Sequence, residues 1–167
     1  HANMGISFAF QQPVRFKGIL VRDLLNLAAG RTLSEDELKE VLEKVGMDYK
    51  AYVDRAVDNY LSGGEIKRIE IATVILRDSK LAVFDEPEAG IDLWSFNNLI
   101  RVFENLRDER KCTIIVISHQ ERILSIADEI VMIQNGKVGL SGASNKLFKG
   151  FICKSDCNDC CTVKEEK

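Results

Sequence analysis

The sequence predicts an α/β fold built on a mostly parallel sheet, and three observations carry that expectation. Two runs, "LAVF" (81–84) and "TIIVI" (113–117), are strand-length and apolar almost throughout, as strands buried on both faces are. Segments with apolar residues at helical spacing stand between the strand-like runs. The chain has 167 residues, 46% of them hydrophobic, enough to bury one sizeable core in one or two domains. Strands alternating with helices imply a sheet covered by helices on both faces.

Taken in order, "ISFAF" (6–10) reads as the end of a strand running into a glutamine-bearing loop, "QQP". "GILVRDLLNLAAG" (18–30) is an amphipathic helix closed by Gly30. "SEDELKEVLEKVG" (34–46) places Ser34 and Glu37 at capping-box spacing, Leu38, Val41, Leu42 and Val45 on one face, and Gly46 as a stop. "LSGGE" repeats the device with Ser62 and Glu65, opening a helix of apolar residues at helical spacing. "KLAVFDE" (80–86) is a strand ending in two acids. "WSFNNLIRVFENL" (94–106) is a helix with Phe96, Leu99, Ile100 and Phe103 on one side. "CTIIVIS" (112–118) is a second buried strand, and "RILSIAD" (122–128) a short helix. "EIVMIQNGKVGLSG" (129–142) is a hairpin turned by Asn135-Gly136.

A net charge of -3 argues against a nucleic-acid binder, whose footprint is basic. No apolar run reaches the length of a bilayer span, and "HANMGISFAF" lacks the basic start and long apolar stretch of a secretory signal. A soluble, cytoplasmic protein is therefore expected, and in a reducing compartment cysteines favour metal or redox roles over disulfides. Four of the five cysteines, Cys153, Cys157, Cys160 and Cys161, fall in the last fifteen residues, where a thiolate cluster could hold Zn²⁺ or an iron–sulfur cluster. The alternative is a tail whose thiols bind nothing. Cys112, at the head of an apolar strand, reads as a buried small hydrophobe.

Three places suggest chemistry. Asp85 and Glu86 end a strand, where open α/β sheets bind ligands, and such a pair suits phosphoryl transfer: one carboxylate holds Mg²⁺ through water while the next acts on an attacking water. The bland alternative is an Asp that caps the following helix. His119 follows the strand "CTIIVIS", and a neutral imidazole there can hydrogen-bond a phosphate oxygen or remain an ordinary strand-end residue. Ser62, Gly63 and Gly64 leave backbone N–H groups open at a helix N-terminus, which favours an anion.

"LSGGEIKR", "LAVFDEPEAGID" and "VISHQ", in that order and spacing, resemble the signature motif, Walker B strand with D-loop, and switch histidine of an ABC-type ATPase over roughly residues 11–140. That resemblance implies a partial P-loop NTPase core plus a helical subdomain. Residues 1–13 would be the end of a core strand and the Q-loop, 14–79 the helical signature subdomain, 80–150 the C-terminal part of the RecA-like core, and 151–167 a cysteine-rich tail. It also implies roles: Asp85 and Gln11 (or its neighbour Gln12) toward Mg²⁺, Glu86 and His119 in catalysis, and Ser62, Gly63, Gly64, Glu65, Gly90 and Asp92 toward ATP.

No G-x-x-x-x-G-K-[S/T] string occurs, so the chain looks like the later part of such an ATPase and is expected to be inactive alone. In this family the signature helix touches nucleotide held by the partner of a head-to-tail dimer, so Ser62 would serve another subunit's ATP. "GISFAFQQPVRFKGILVRDLL" and "SGGEIKRIEI" are similar to the SufC type, the ATPase of iron–sulfur cluster assembly, although "DEPEAGID" is nearer to transporter ATPases. The implied partners are a second ATPase subunit and either a SufB/SufD-like soluble scaffold docking near "PVRFKGI" or a transporter membrane subunit; a non-catalytic interaction module is the remaining alternative. With the phosphate-loop strand missing, the strand at 81–85 is expected to present an unpaired edge.

Overall fold

The computed structural model of the chain describes residues 5–12, 18–58 and 60–144, the side chains of 93 and 94 excepted. They fall into two compact units, His1–Ser118 and His119–Lys167.

In the first unit β1 (Ile6–Ala9), β2 (Leu81–Asp85) and β3 (Thr113–Ile117) form a parallel sheet in the order β1-β2-β3. The expected open edge at 81–85 is therefore corrected: β2 is central, paired with β1 on one side and β3 on the other. Register sets the two faces. Ser7, Ala9, Ala82 and Phe84 share one face with Ile114 and Val116, and these four are fully or almost fully buried. There Phe84 meets Phe103 of α5 (Leu93–Asp108) edge-on, ring centroids 4.9 Å apart.

The opposite face corrects a second expectation. Phe8, Ile115 and Ile117 lie on it in register with Val83 and Asp85, and they are 44%, 49% and 53% exposed. The remaining helices of this unit are occupied with one another. α1 (Val21–Ala29) and α2 (Glu35–Lys44) both pack on α4 (Gly63–Leu76), which touches the sheet along β1. α4 buries Ile66, Ile69, Ile71, Ala72, Val74 and Ile75, residues spread around its circumference, so it forms the core of the helical layer.

Local signals explain the helix ends. Ser34–Glu37 and Ser62–Glu65 both form complete capping boxes. Gly30 and Gly46 adopt the left-handed conformation that ends α1 and follows α2. A short helix that the sequence reading passed over, α3 (Tyr49–Tyr52), is capped by the Asp48 carboxylate on the Ala51 N–H.

In the second unit α6 (Glu121–Ile126) precedes the antiparallel hairpin of β4 (Glu129–Gln134) and β5 (Lys137–Ala143). Asn135 and Gly136 both take positive φ, as a two-residue type I′ turn requires. Ser144 ties the hairpin's end to α6 by donating to the Leu124 carbonyl. Among the described residues no helix is long and apolar enough to cross a membrane.

Candidate functional site

The C-terminal ends of β1 and β2 bring Gln11 and Glu86 together: Gln11 Nε2 donates to Glu86 Oε2 at 2.7 Å. Glu86 sits at φ 42°, a backbone region uncommon outside glycine. Its N–H holds that conformation by donating to the Ile117 carbonyl of β3 at 2.9 Å. Left-handed backbone at a non-glycine residue costs of order 1–3 kcal/mol and collects at functional sites. Here it turns the second acid away from the strand axis just as the strand ends. Asp85 is half-buried beside it, in register with Ile117. Gln12 is exposed, and of the two neighbouring glutamines Gln11 is the one joined to Glu86.

At the tip of α4, Ser62 and Gly63 are exposed. Ser62 Oγ accepts from the Glu65 N–H at 3.2 Å, which leaves its hydroxyl proton to donate. The Glu65 carboxylate does not face outward. One oxygen accepts from the Ser62 N–H at 2.6 Å, and the other accepts from the Tyr52 hydroxyl at 2.5 Å. Arg55 stands 3.7 Å from the same carboxylate and lies over the Tyr52 ring. The Tyr52 hydrogen bond above all, helped by Ser62 and Arg55, pulls the Glu65 carboxyl down to about 2. Gly64 meets the loop after β2: a Cβ there would lie 2.4 Å from the Gly90 carbonyl oxygen, and Gly90 itself has φ +75°. Asp92, two residues on, caps α5 by accepting from the Ser95 N–H and hydroxyl.

Three further residues carry weight that the sequence reading did not assign. Lys67 is 1% exposed, and its ammonium donates to the Phe10 carbonyl and, at 3.4 Å, to that of Asp85. Glu70, one turn along, accepts the Phe10 N–H at 3.1 Å and stands 3.7 Å from Lys67 Nζ. Burial pushes the Lys67 ammonium down and the Glu70 carboxyl up, each partly offset by the other's charge. Glu88, buried in the loop after β2, accepts from the Ser118 hydroxyl at 2.5 Å, while its Oε2 has no partner among the described residues. The spacing i, i+3 of Lys67 and Glu70 was the available signal, but it reads as a surface ion pair.

His119 is exposed and opens the second unit, directly after Ser118 in the chain. Cys153, Cys157, Cys160 and Cys161, and most of the "PVRFKGI" docking stretch, lie outside the described residues. No cluster of three metal-ligating side chains occurs among the described residues. Mg²⁺ asks less of a protein: it keeps several waters and takes one or two carboxylates plus substrate phosphates. A lone Asp85 with the neighbouring Gln11 amide and Glu86 carboxylate fits that donor set. A groove of about 640 Å³ lies apart from the Asp85–Glu86 strand end, lined by Phe8, Leu24, Leu27, Ile69 and Val74.

A family model described as "ABC transporter" matches residues 1–89. An uncharacterized ABC transporter ATP-binding protein of Methanocaldococcus jannaschii is 39% identical over 165 residues, covering 95% of this chain and 65% of the relative. An energy-coupling factor transporter ATP-binding protein of Clostridium perfringens is 31% identical, covering 87% of this chain and 53% of its own length. A probable ATP-dependent transporter of Cyanidium caldarium is 28% identical, covering 84% and 60%. The chain thus spans between half and two thirds of these relatives. The fold matches the ATP-binding subunit of an ABC transporter at TM-score 0.71 and 22% identity, covering 89% of this chain and 62% of that one. It matches a dimeric, post-hydrolysis ATP-binding cassette bound to ADP and Pi at TM-score 0.72 and 18% identity, covering 83% and 62%.

Proposed function

This chain belongs to the family of ABC transporter ATP-binding proteins, and from that premise we propose that it supplies the Q-loop, signature helix, Walker B strand and switch histidine of the ATP-hydrolysing subunit of a membrane transporter. The observation that carries the reading is the Gln11–Glu86 hydrogen bond at the strand ends. In this role Asp85 and Gln11 would hold Mg²⁺, which would supply positive charge to the triphosphate. Gln11 occupies Glu86 Oε2 and leaves Oε1 to accept the proton of an attacking water. His119, the first residue of the second unit, is the candidate switch histidine from its place in the sequence. Ser62, exposed and with its hydroxyl proton free, meets the nucleotide of a second subunit in a head-to-tail dimer, and Gly63 leaves room for it to approach.

The transporter role takes precedence over iron–sulfur assembly because the relatives compared above carry transporter names. A SufC-like assembly ATPase acting on a SufB/SufD-like scaffold is the outcome that co-purification would reveal instead. Two measurements test the proposal. In the intact protein Glu86→Gln abolishes ATP turnover while ATP binding persists, and the protein co-purifies with integral membrane subunits at the cytoplasmic face. Turnover undiminished by Glu86→Gln refutes the hydrolytic role of Glu86, and an intact protein that neither binds nor turns over ATP leaves a non-catalytic interaction module.

A further inference from the structure

We propose that Lys67 is a positioning residue for the Gln11–Glu86 pair: one buried ammonium on the signature helix fixes the two backbone carbonyls that immediately precede those side chains. The carbonyls are those of Phe10 and Asp85, and both accept from Lys67 Nζ. Glu70 completes the grip by accepting the Phe10 N–H at 3.1 Å, so the same helix holds both polar groups of Phe10. The next residue along each strand end is a member of the pair, and their side chains meet at 2.7 Å.

The chemistry of burial favours a positional role over a stabilising one. Lysine is almost never fully buried unless paired, and Lys67 is 1% exposed. Replacing a whole buried ion pair by apolar residues of similar volume is often neutral or stabilising, so the Lys67–Glu70 pair is not kept for stability alone. What an apolar residue cannot do is donate to two carbonyls on different strands. β1 and β2 are already in register through Phe8↔Val83 and Ala9↔Phe84. Past Ala9 the ladder stops, and the Lys67 clamp takes over where Gln11 must be held against Glu86.

The inference rests on reading Gln11 and Glu86 as the hydrolytic pair, but its test does not need nucleotide. In the 167-residue chain, Lys67→Met keeps the volume and removes the donors. Exchange of the Gln11 side-chain amide protons, followed by ¹⁵N NMR and assigned by their loss in Gln11→Leu, should accelerate about tenfold. Lys67→Met also leaves the buried Glu70 without its cation and lowers the melting temperature, so the same acceleration is required of Lys67→Met with Glu70→Gln, which removes both charges. In the wild-type chain, the protected Lys67 ammonium protons should correlate with the Phe10 and Asp85 carbonyl carbons, which decides the matter should Lys67→Met fail to fold. Gln11 exchange at the wild-type rate in Lys67→Met, or a wild-type ammonium without those correlations, overturns the inference. In the intact protein Lys67→Met should lower kcat about tenfold with KM for ATP unchanged; a protein that shows the NMR signatures but never turns over ATP refutes the function and leaves the clamp standing.

Discussion

Gly64 and Gly90 approach so closely that a methyl group on Gly64 would sit 2.4 Å from the Gly90 carbonyl oxygen. Two residues 26 positions apart in sequence thus bring the first turn of α4 against the loop that follows Asp85 and Glu86. Real Cβ atoms do not tolerate such a distance, and the obstructing atom is backbone, so relief requires moving one element. Gly63, the neighbour, faces open space and has no such contact.

The first prediction separates the two glycines. Gly64→Ala should destabilise the chain by about 1–3 kcal/mol, the usual cost of forcing volume into a packed contact. Gly63→Ala should leave stability within about 0.5 kcal/mol of the wild type or raise it, because alanine is the better helix former and nothing obstructs it. Urea titration measures both. In the intact protein, if the proposed head-to-tail arrangement holds, Gly63→Ala should nonetheless impair ATP-dependent dimer formation, because its Cβ would enter the open space through which the neighbour's nucleotide is proposed to approach. Equal destabilisation by both substitutions would rule out the close contact.

A second prediction concerns pH. Glu65 is held near 2, below its ordinary 4.5, by Tyr52, Ser62 and Arg55. A carboxyl depressed on folding contributes stability that is present above about pH 4.5 and is lost as pH falls toward 2. Tyr52→Phe removes the first of those hydrogen bonds. It should cost about 1–2 kcal/mol at neutral pH, and acid unfolding should begin at a higher pH than in the wild type. Tryptophan fluorescence or circular dichroism from pH 7 to 2 gives the comparison; superimposable acid transitions would show that Tyr52 contributes nothing.

Much of this architecture is legible before any coordinates. Ser34–Glu37 and Ser62–Glu65 announce two helix starts through a spacing of three residues, and Asn135-Gly136 announces a hairpin through a φ requirement. These signals are local. Strand order is not local, and the central place of β2 could not be read from "LAVFD", which would look the same on an edge. Lys67 escaped for a related reason: a lysine inside "GGEIKRIE" reads as solvated, and only the approach of Phe10 and Asp85 from elsewhere makes its burial sensible. Asp85 and Glu86 were legible as adjacent acids at a strand end, whereas the hydrogen bond that joins Gln11 to Glu86 at 2.7 Å was not.

The uncovered sheet face yields a third prediction. Phe8, Ile115 and Ile117 present apolar surface on one side of the sheet, and each such side chain left exposed forgoes roughly 1.5–3 kcal/mol of burial. The isolated chain should therefore self-associate through that face at micromolar concentration. Ile115→Thr with Ile117→Thr keeps the β-branched shape that suits a strand while adding polar atoms. Sedimentation velocity should shift toward the monomer in the double variant, and an unchanged distribution would place the contact elsewhere.

The fourth prediction follows from Glu88, whose buried carboxylate accepts from Ser118 on one oxygen and has no described partner on the other. Ser118→Ala removes the hydroxyl donor from an acid already poorly satisfied. The expected cost is about 1–3 kcal/mol, the penalty for leaving a buried acceptor unmet. Replacing both partners, Glu88→Met together with Ser118→Ala, removes the acceptor as well and should be less destabilising than Ser118→Ala alone. That inversion is the informative quantity, because independent sites would add their costs. Chemical denaturation of the two single variants and the double measures it. Strict additivity would mean that the 2.5 Å contact between the loop after β2 and the end of β3 does not couple them.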